Sequence, residues 1–192
     1  YTGAPDFWTE FDRKGEGIIV ANIDTGVQYG HPALAASYLC AGGNVGDARC
    51  WKDVTDLPST VPSDTHGHGT HTMGTMVGSD DPSMTYKVGM APAAAWIACR
   101  AFASNTTTSD KLIACADWIL APAGNPANRP QIVNNSWGGK IHDTFYQPSV
   151  QAWRAAGIFP VFSAGNYDEE NTCSTIVSPG DYPESFTVAS HD

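Results

Sequence analysis

Apolar and polar positions divide the chain into two alternating kinds of segment. Runs rich in Ile, Val, Ala and Phe cover 17–23, 94–99, 131–135 and 158–163, with a shorter one at 186–189. Lacking a regular polar alternation, they predict strands buried on both faces. Between them the spacing turns helical. Residues 70–77 follow a Gly-rich turn. Residues 109–120 open on Ser109-Asp110, a capping pair, and place Leu112, Ala116 and Ile119 on one face. Residues 149–156 lie between Pro148 and Gly157. Strand alternating with helix predicts an α/β fold, a mostly parallel sheet covered by helices on both faces. Functional groups in such a sheet gather in the loops at the carboxyl ends of its strands.

At 192 residues, the chain is expected to be one domain, 1–192. A net charge of −10 argues against nucleic acid as a partner, because phosphate binding needs a basic face. No apolar run is long enough to span a bilayer, so no membrane partner is expected. The opening Tyr1-Thr2-Gly3-Ala4-Pro5 has no leader pattern, so a leader is expected to be absent or removed. Of five cysteines, Cys40 and Cys50 flank a Gly-rich loop that a disulfide could close. Cys99 and Cys115 lie in apolar surroundings that suit buried thiols equally well. The odd count leaves one cysteine unpaired or paired elsewhere. The Cys40/Cys50 loop and the low lysine content predict a secreted protein.

Four constellations stand at predicted strand ends. The first strand ends in Asp24-Thr25-Gly26. A carboxylate there is costly unless paired. An aspartic protease would need a second such motif, and the chain has none. The segment Asp64-Thr65-His66-Gly67-His68-Gly69-Thr70-His71 sets His68 between glycines at a loop–helix junction, a placement that suits a general base. Zinc is the rival reading. His68 and His71 lack the i, i+4 spacing and intervening glutamate of a zinc protease, so no metal site is assigned. Ser163-Ala164-Gly165-Asn166 offers small residues and an amide able to donate to a developing oxyanion, although a plain turn asparagine fits as well. Asn134-Asn135-Ser136-Trp137-Gly138-Gly139 offers backbone that could pair with an extended peptide. Ser136 lacks the Gly-x-Ser-x-Gly elbow of one class of nucleophile.

In this order the four motifs resemble the subtilisin-like serine proteases, from about Gly15 to Asp192. Ile23-Asp24-Thr25-Gly26-Val27 is similar to the aspartate motif of that family and His68-Gly69-Thr70-His71 to its histidine motif. The long segment 38–61 between them resembles a bacillopeptidase F-like branch. The resemblance implies a three-layer subtilisin-like fold and a triad in chain order aspartate, histidine, serine. Asp24 and His68 would be its first two members, and Asn166 the oxyanion donor. It also implies polypeptide substrates. Ser136, Trp137, Gly138, Ala164 and Gly165 would line the pocket for the side chain before the cut bond. The loop 103–107, with Thr106 and Thr107, would pair with the substrate backbone. Phe102 and Trp137 would shape more distant apolar subsites.

The chain departs from the family pattern in two places. No Gly-Thr-Ser-Met-Ala-like motif occurs before Asp192, so the fold is expected to be incomplete at its C-terminus. The nucleophilic serine would then lie in a partner segment, the remainder of the catalytic domain. A pro-segment is a further expectation of the resemblance. The alternative is a non-catalytic peptide-binding module of the same ancestry. Calcium is the other departure. Many members hold it with an aspartate soon after the catalytic one, and here that position is Ala33. The acidic turn Ser79-Asp80-Asp81-Pro82 remains a candidate, with a solvated turn its plainer reading.

Overall fold

The computed structural model describes residues 3–81, 83, 88–166, 173 and 175–190. Its strands are β1 (Ile19–Asp24), β2 (Trp51–Asp53), β3 (Ala95–Arg100), β4 (Ile132–Asn135), β5 (Phe159–Ser163) and β6 (Phe186–Val188). Its α-helices are α1 (Ala4–Phe11), α2 (His68–Val77), α3 (Ser109–Leu120) and α4 (Gln147–Ala155). All strand pairs are parallel, in the order β2-β3-β1-β4-β5-β6. The order reverses direction at β1, so the carboxyl end of β1 opens onto the crevice where such sheets place their ligands.

Side-chain alternation assigns the helices to opposite faces. Asn22 of β1 donates through Nδ2 to the Gly69 carbonyl and to Thr72 Oγ1, both on α2. Asp24 shares that face, being two residues on. Cys99 of β3, in register with Ile23 of β1, points the other way and is bonded to Cys115 of α3. Helix α4 lies on the α3 side: Trp153 Nε1 donates to the Ala116 carbonyl at 3.1 Å and the Tyr146 hydroxyl to that of Leu112 at 3.2 Å. These bonds satisfy the polar tips of two fully buried aromatic rings.

Some expectations change. β1 and β3 are covered on both faces, but β5 alternates, and Phe159, Phe186 and Val188 stand 40, 54 and 50% exposed. These strands lie at one end of the sheet, where the Arg154 guanidinium stands over the Phe159 ring at 5.6 Å and leaves that face half exposed. Helix α2 begins at His68, because Gly67 at φ 96° turns the chain directly into it. Pro148 lies inside the first turn of α4, where its missing N–H costs nothing. Cys99 and Cys115, for which the sequence leaves both readings open, form a disulfide, and Cys40–Cys50 closes the loop beside β2 as its spacing allows. Cys173 is free and exposed.

Candidate active site

Asp24, the last residue of β1, is 3% exposed. Its Oδ1 accepts the Thr25 N–H at 2.7 Å and lies 2.7 Å from Nδ1 of His68, the first residue of α2. Burial pushes the Asp24 carboxyl above the usual carboxylate range, while the bonds from His68 and the Thr25 N–H pull it back. The charge of Asp64 adds to the upward push. The His68 side chain remains 44% exposed, and Nε2 has no partner among the described residues. The ring is therefore anchored on one nitrogen and open on the other, as a general base requires.

Glycine is needed where the two motifs meet. A side chain at Gly69 would place Cβ 2.1 Å from the Gly26 carbonyl oxygen and 3.0 Å from the Asp24 Cβ. A side chain at Gly26, where φ is 105°, would meet the Ser63 carbonyl oxygen at 2.0 Å.

The histidine loop is organised by Asp64. Its carboxylate accepts the N–H groups of His66, Gly67 and Thr70 at 3.0, 2.8 and 2.9 Å, and the hydroxyls of Thr70 and Thr25 at 2.7 and 3.0 Å. Burial raises its proton affinity, but these bonds outweigh burial and hold the carboxyl below its usual range. Sequence reasoning gave Asp64 no role. Its one available signal was an acidic residue just before a helix start.

A cleft of about 300 Å³ collects most of the candidate residues. Asp24, His68, Phe102, Ser136, Trp137, Gly138 and Asn166 line it, together with Thr25, His66, Ser104 and Asn105. Phe102 and Trp137 stand with ring centres 6.3 Å apart. Ser136 Oγ accepts a bond from Asn134 Nδ2 at 2.9 Å.

Thr106, Thr107, Ala164 and Gly165 do not border this cleft. The Thr107 hydroxyl turns back to the Ala101 carbonyl, and Ser104 and Asn105 take the cleft side of that loop. The 163–165 strand end nevertheless lies beside 136–138: the Ser163 hydroxyl donates to the Trp137 carbonyl at 3.4 Å. Val177 packs against both Gly138 and Gly165, where added Cβ atoms would meet its methyls at 2.2 and 2.9 Å. Nothing in the local sequence marks Val177 for this place.

Asp80 is held by Lys14 Nζ at 2.6 Å, and Asp81 accepts the Ser83 N–H at 2.8 Å. Among the described residues, no three acidic, histidine or cysteine side chains are grouped so as to hold a metal ion. Pro82 lies outside the described residues.

Residues 15–192 match the model of the subtilase family. The chain belongs to the subtilases. It is 42% identical to bacillopeptidase F of Bacillus subtilis (strain 168) over 203 residues, covering 98% of this chain and 14% of that protein. A subtilisin-like protease of Coccidioides posadasii (strain C735) is 31% identical over 181 residues, with 93% of this chain and 40% of that one covered. A subtilisin-like serine protease of Penicillium rubens is 29% identical over 184 residues, covering 95% and 40%. This subtilase chain thus spans well under half the length of these relatives. Its mixed α/β architecture with an all-parallel sheet is that expected of the family.

Proposed function

We propose that the protein carrying this subtilase chain is a serine endopeptidase that hydrolyses peptide bonds through an Asp-His-Ser triad. Asp24 and His68 supply two members, and the serine comes from polypeptide beyond these 192 residues. The observation that carries the reading is the 2.7 Å bond from His68 Nδ1 to a buried Asp24, with the ring open to a cleft. In the reaction, Nε2 removes the proton of the serine hydroxyl as that oxygen attacks the peptide carbonyl. The same nitrogen then delivers the proton to the leaving amine. Asp24 fixes the tautomer and stabilises the imidazolium, and Asn166 donates to the oxyanion.

Extended polypeptide is the substrate class this cleft fits. The 136–138 and 104–105 segments flank it, and the Phe102–Trp137 pair favours apolar or aromatic side chains away from the cut bond. The half-exposed β5–β6 face, where the Phe159 and Phe186 rings lie tilted with centres 5.3 Å apart, supports a further segment of the catalytic domain packing there. Two disulfides support secretion, and no described helix is long and apolar enough to cross a membrane.

The test is hydrolysis of an unstructured polypeptide by the full-length protein. Cleavage that disappears in His68→Ala supports the proposal. Binding of extended peptides without cleavage would instead establish a peptide-binding module.

A further inference from the structure

The last residues of β2, β3 and β1 stand in one row across the sheet: Asp53 is in register with Arg100, and Arg100 with Asp24. Register partners in parallel strands project to the same face, here that of α2. The middle residue is a buried cation, 8% exposed. Its Nη1 lies 3.4 Å from Asp53 Oδ2, and its Nη2 donates to Thr65 Oγ1 at 3.3 Å. Its Cδ passes beneath the turn after Asp24, 3.3 Å from where a Gly26 Cβ would stand.

One side chain therefore touches both halves of the site. Its stem supports the aspartate turn, and its head holds the loop that enters the histidine helix three residues before His68. Asp53 is fixed in turn, accepting the N–H and hydroxyl of Thr55 at 2.9 and 2.7 Å and the Ser59 N–H at 2.8 Å. Stability alone does not account for this arrangement. Buried ion pairs of this kind are often matched or exceeded by apolar residues of similar volume. Arg100 Nε is moreover buried without a partner among the described residues, an added cost. A planar fork with two separate attachments suits a spacer between two loops, which a lysine cannot reproduce.

We propose that Arg100, held by Asp53, is a positioning residue that sets the histidine loop through Thr65 and so keeps His68 against Asp24. The kinetic part of its test rests on the peptidase reading above; the spectroscopic part does not. Three variants of the full-length protein test it. Thr65→Val removes one hydroxyl from an exposed loop and leaves the Arg100–Asp53 pair intact. Thr65→Ser restores the hydroxyl. Arg100→Met with Asp53→Asn removes both charges together, so that neither is left buried alone.

Expected for Thr65→Val is a several-fold fall in kcat with KM within about twofold of wild type and an unchanged Tm. Thr65→Ser should recover the loss, and the paired variant should lose about tenfold in kcat. In both impaired variants the low-field proton resonance between His68 Nδ1 and Asp24 should broaden or vanish. If Thr65→Val and the folded paired variant keep wild-type kcat and a wild-type resonance, the proposal is overturned; should the paired variant not fold, Thr65→Val decides alone. A wild-type protein without turnover would defeat the peptidase reading, and the resonance would still decide this one.

Discussion

The hydroxyl of Thr25 accepts the backbone N–H of Gly69 at 2.9 Å. Each is the residue immediately after a member of the Asp24–His68 pair, so the two loops are joined once through the reacting side chains and again beside them. The same hydroxyl donates to Asp64 at 3.0 Å, which ties the aspartate turn to the carboxylate that shapes the histidine loop. Thr25→Val keeps the shape but strands the Gly69 N–H and removes one of the three bonds to Asp64 Oδ1. It should cost roughly 1–3 kcal/mol of stability and lower kcat/KM more than tenfold. Thr25→Ser should stay near wild type, and thermal unfolding with steady-state kinetics checks both.

Asp64 gathers three N–H groups and two hydroxyls, so its loss should be felt as a lost helix cap. Asp64→Ala should destabilise the protein by about 2 kcal/mol, measured by denaturant unfolding. The folded-state value of this group is depressed. Its stabilisation is therefore present above the ordinary carboxylate range and lost as pH falls through the lower folded value.

For Asp24 the sign is opposite. Its folded-state value is raised, chiefly by burial, so the ionised group destabilises the fold at neutral pH, and protonation relieves that cost as pH falls through the raised value. Catalysis needs the ionised form. Acidification should abolish turnover before the Asp64 loop loosens, which parallel pH profiles of activity and of the His66–Thr70 amide signals would show. Asp24→Asn should raise Tm while lowering kcat about 10⁴-fold.

The sequence made some of this legible and hid the rest for physical reasons. Helix α3 spans 109–120 as its periodicity predicts, because its apolar face meets the sheet and α4. Helix α1 escaped notice: it has eight residues, and Phe7 and Phe11, which would mark a buried stripe, are half exposed. β2 has three residues in a turn-rich segment and exists because β3 offers it an edge. Asp24 and His68 were readable because Asp-Thr-Gly and His-Gly-Thr-His are local patterns. The bonds from Thr25 to Gly69 and Asp64, and from Arg100 to Asp53 and Thr65, join positions tens of residues apart, and no local pattern signals them.

The Cys99–Cys115 disulfide fixes β3 to α3 on the face opposite α2, with both cysteines fully buried. Its sequence separation is 16 residues, so replacing both cysteines by alanine should cost about 3 kcal/mol in unfolding free energy. KM should change little, because neither cysteine borders the cleft.

The central claim is that Asp24 and His68 serve a nucleophilic serine. Its most direct test is reaction of the folded full-length protein with a serine-reactive phosphonate, followed by mass spectrometry of the modified peptide. One serine outside these 192 residues should carry the label, and labelling should be lost in His68→Ala. A folded full-length protein that takes up no label, or takes it up equally without His68, would contradict the claim.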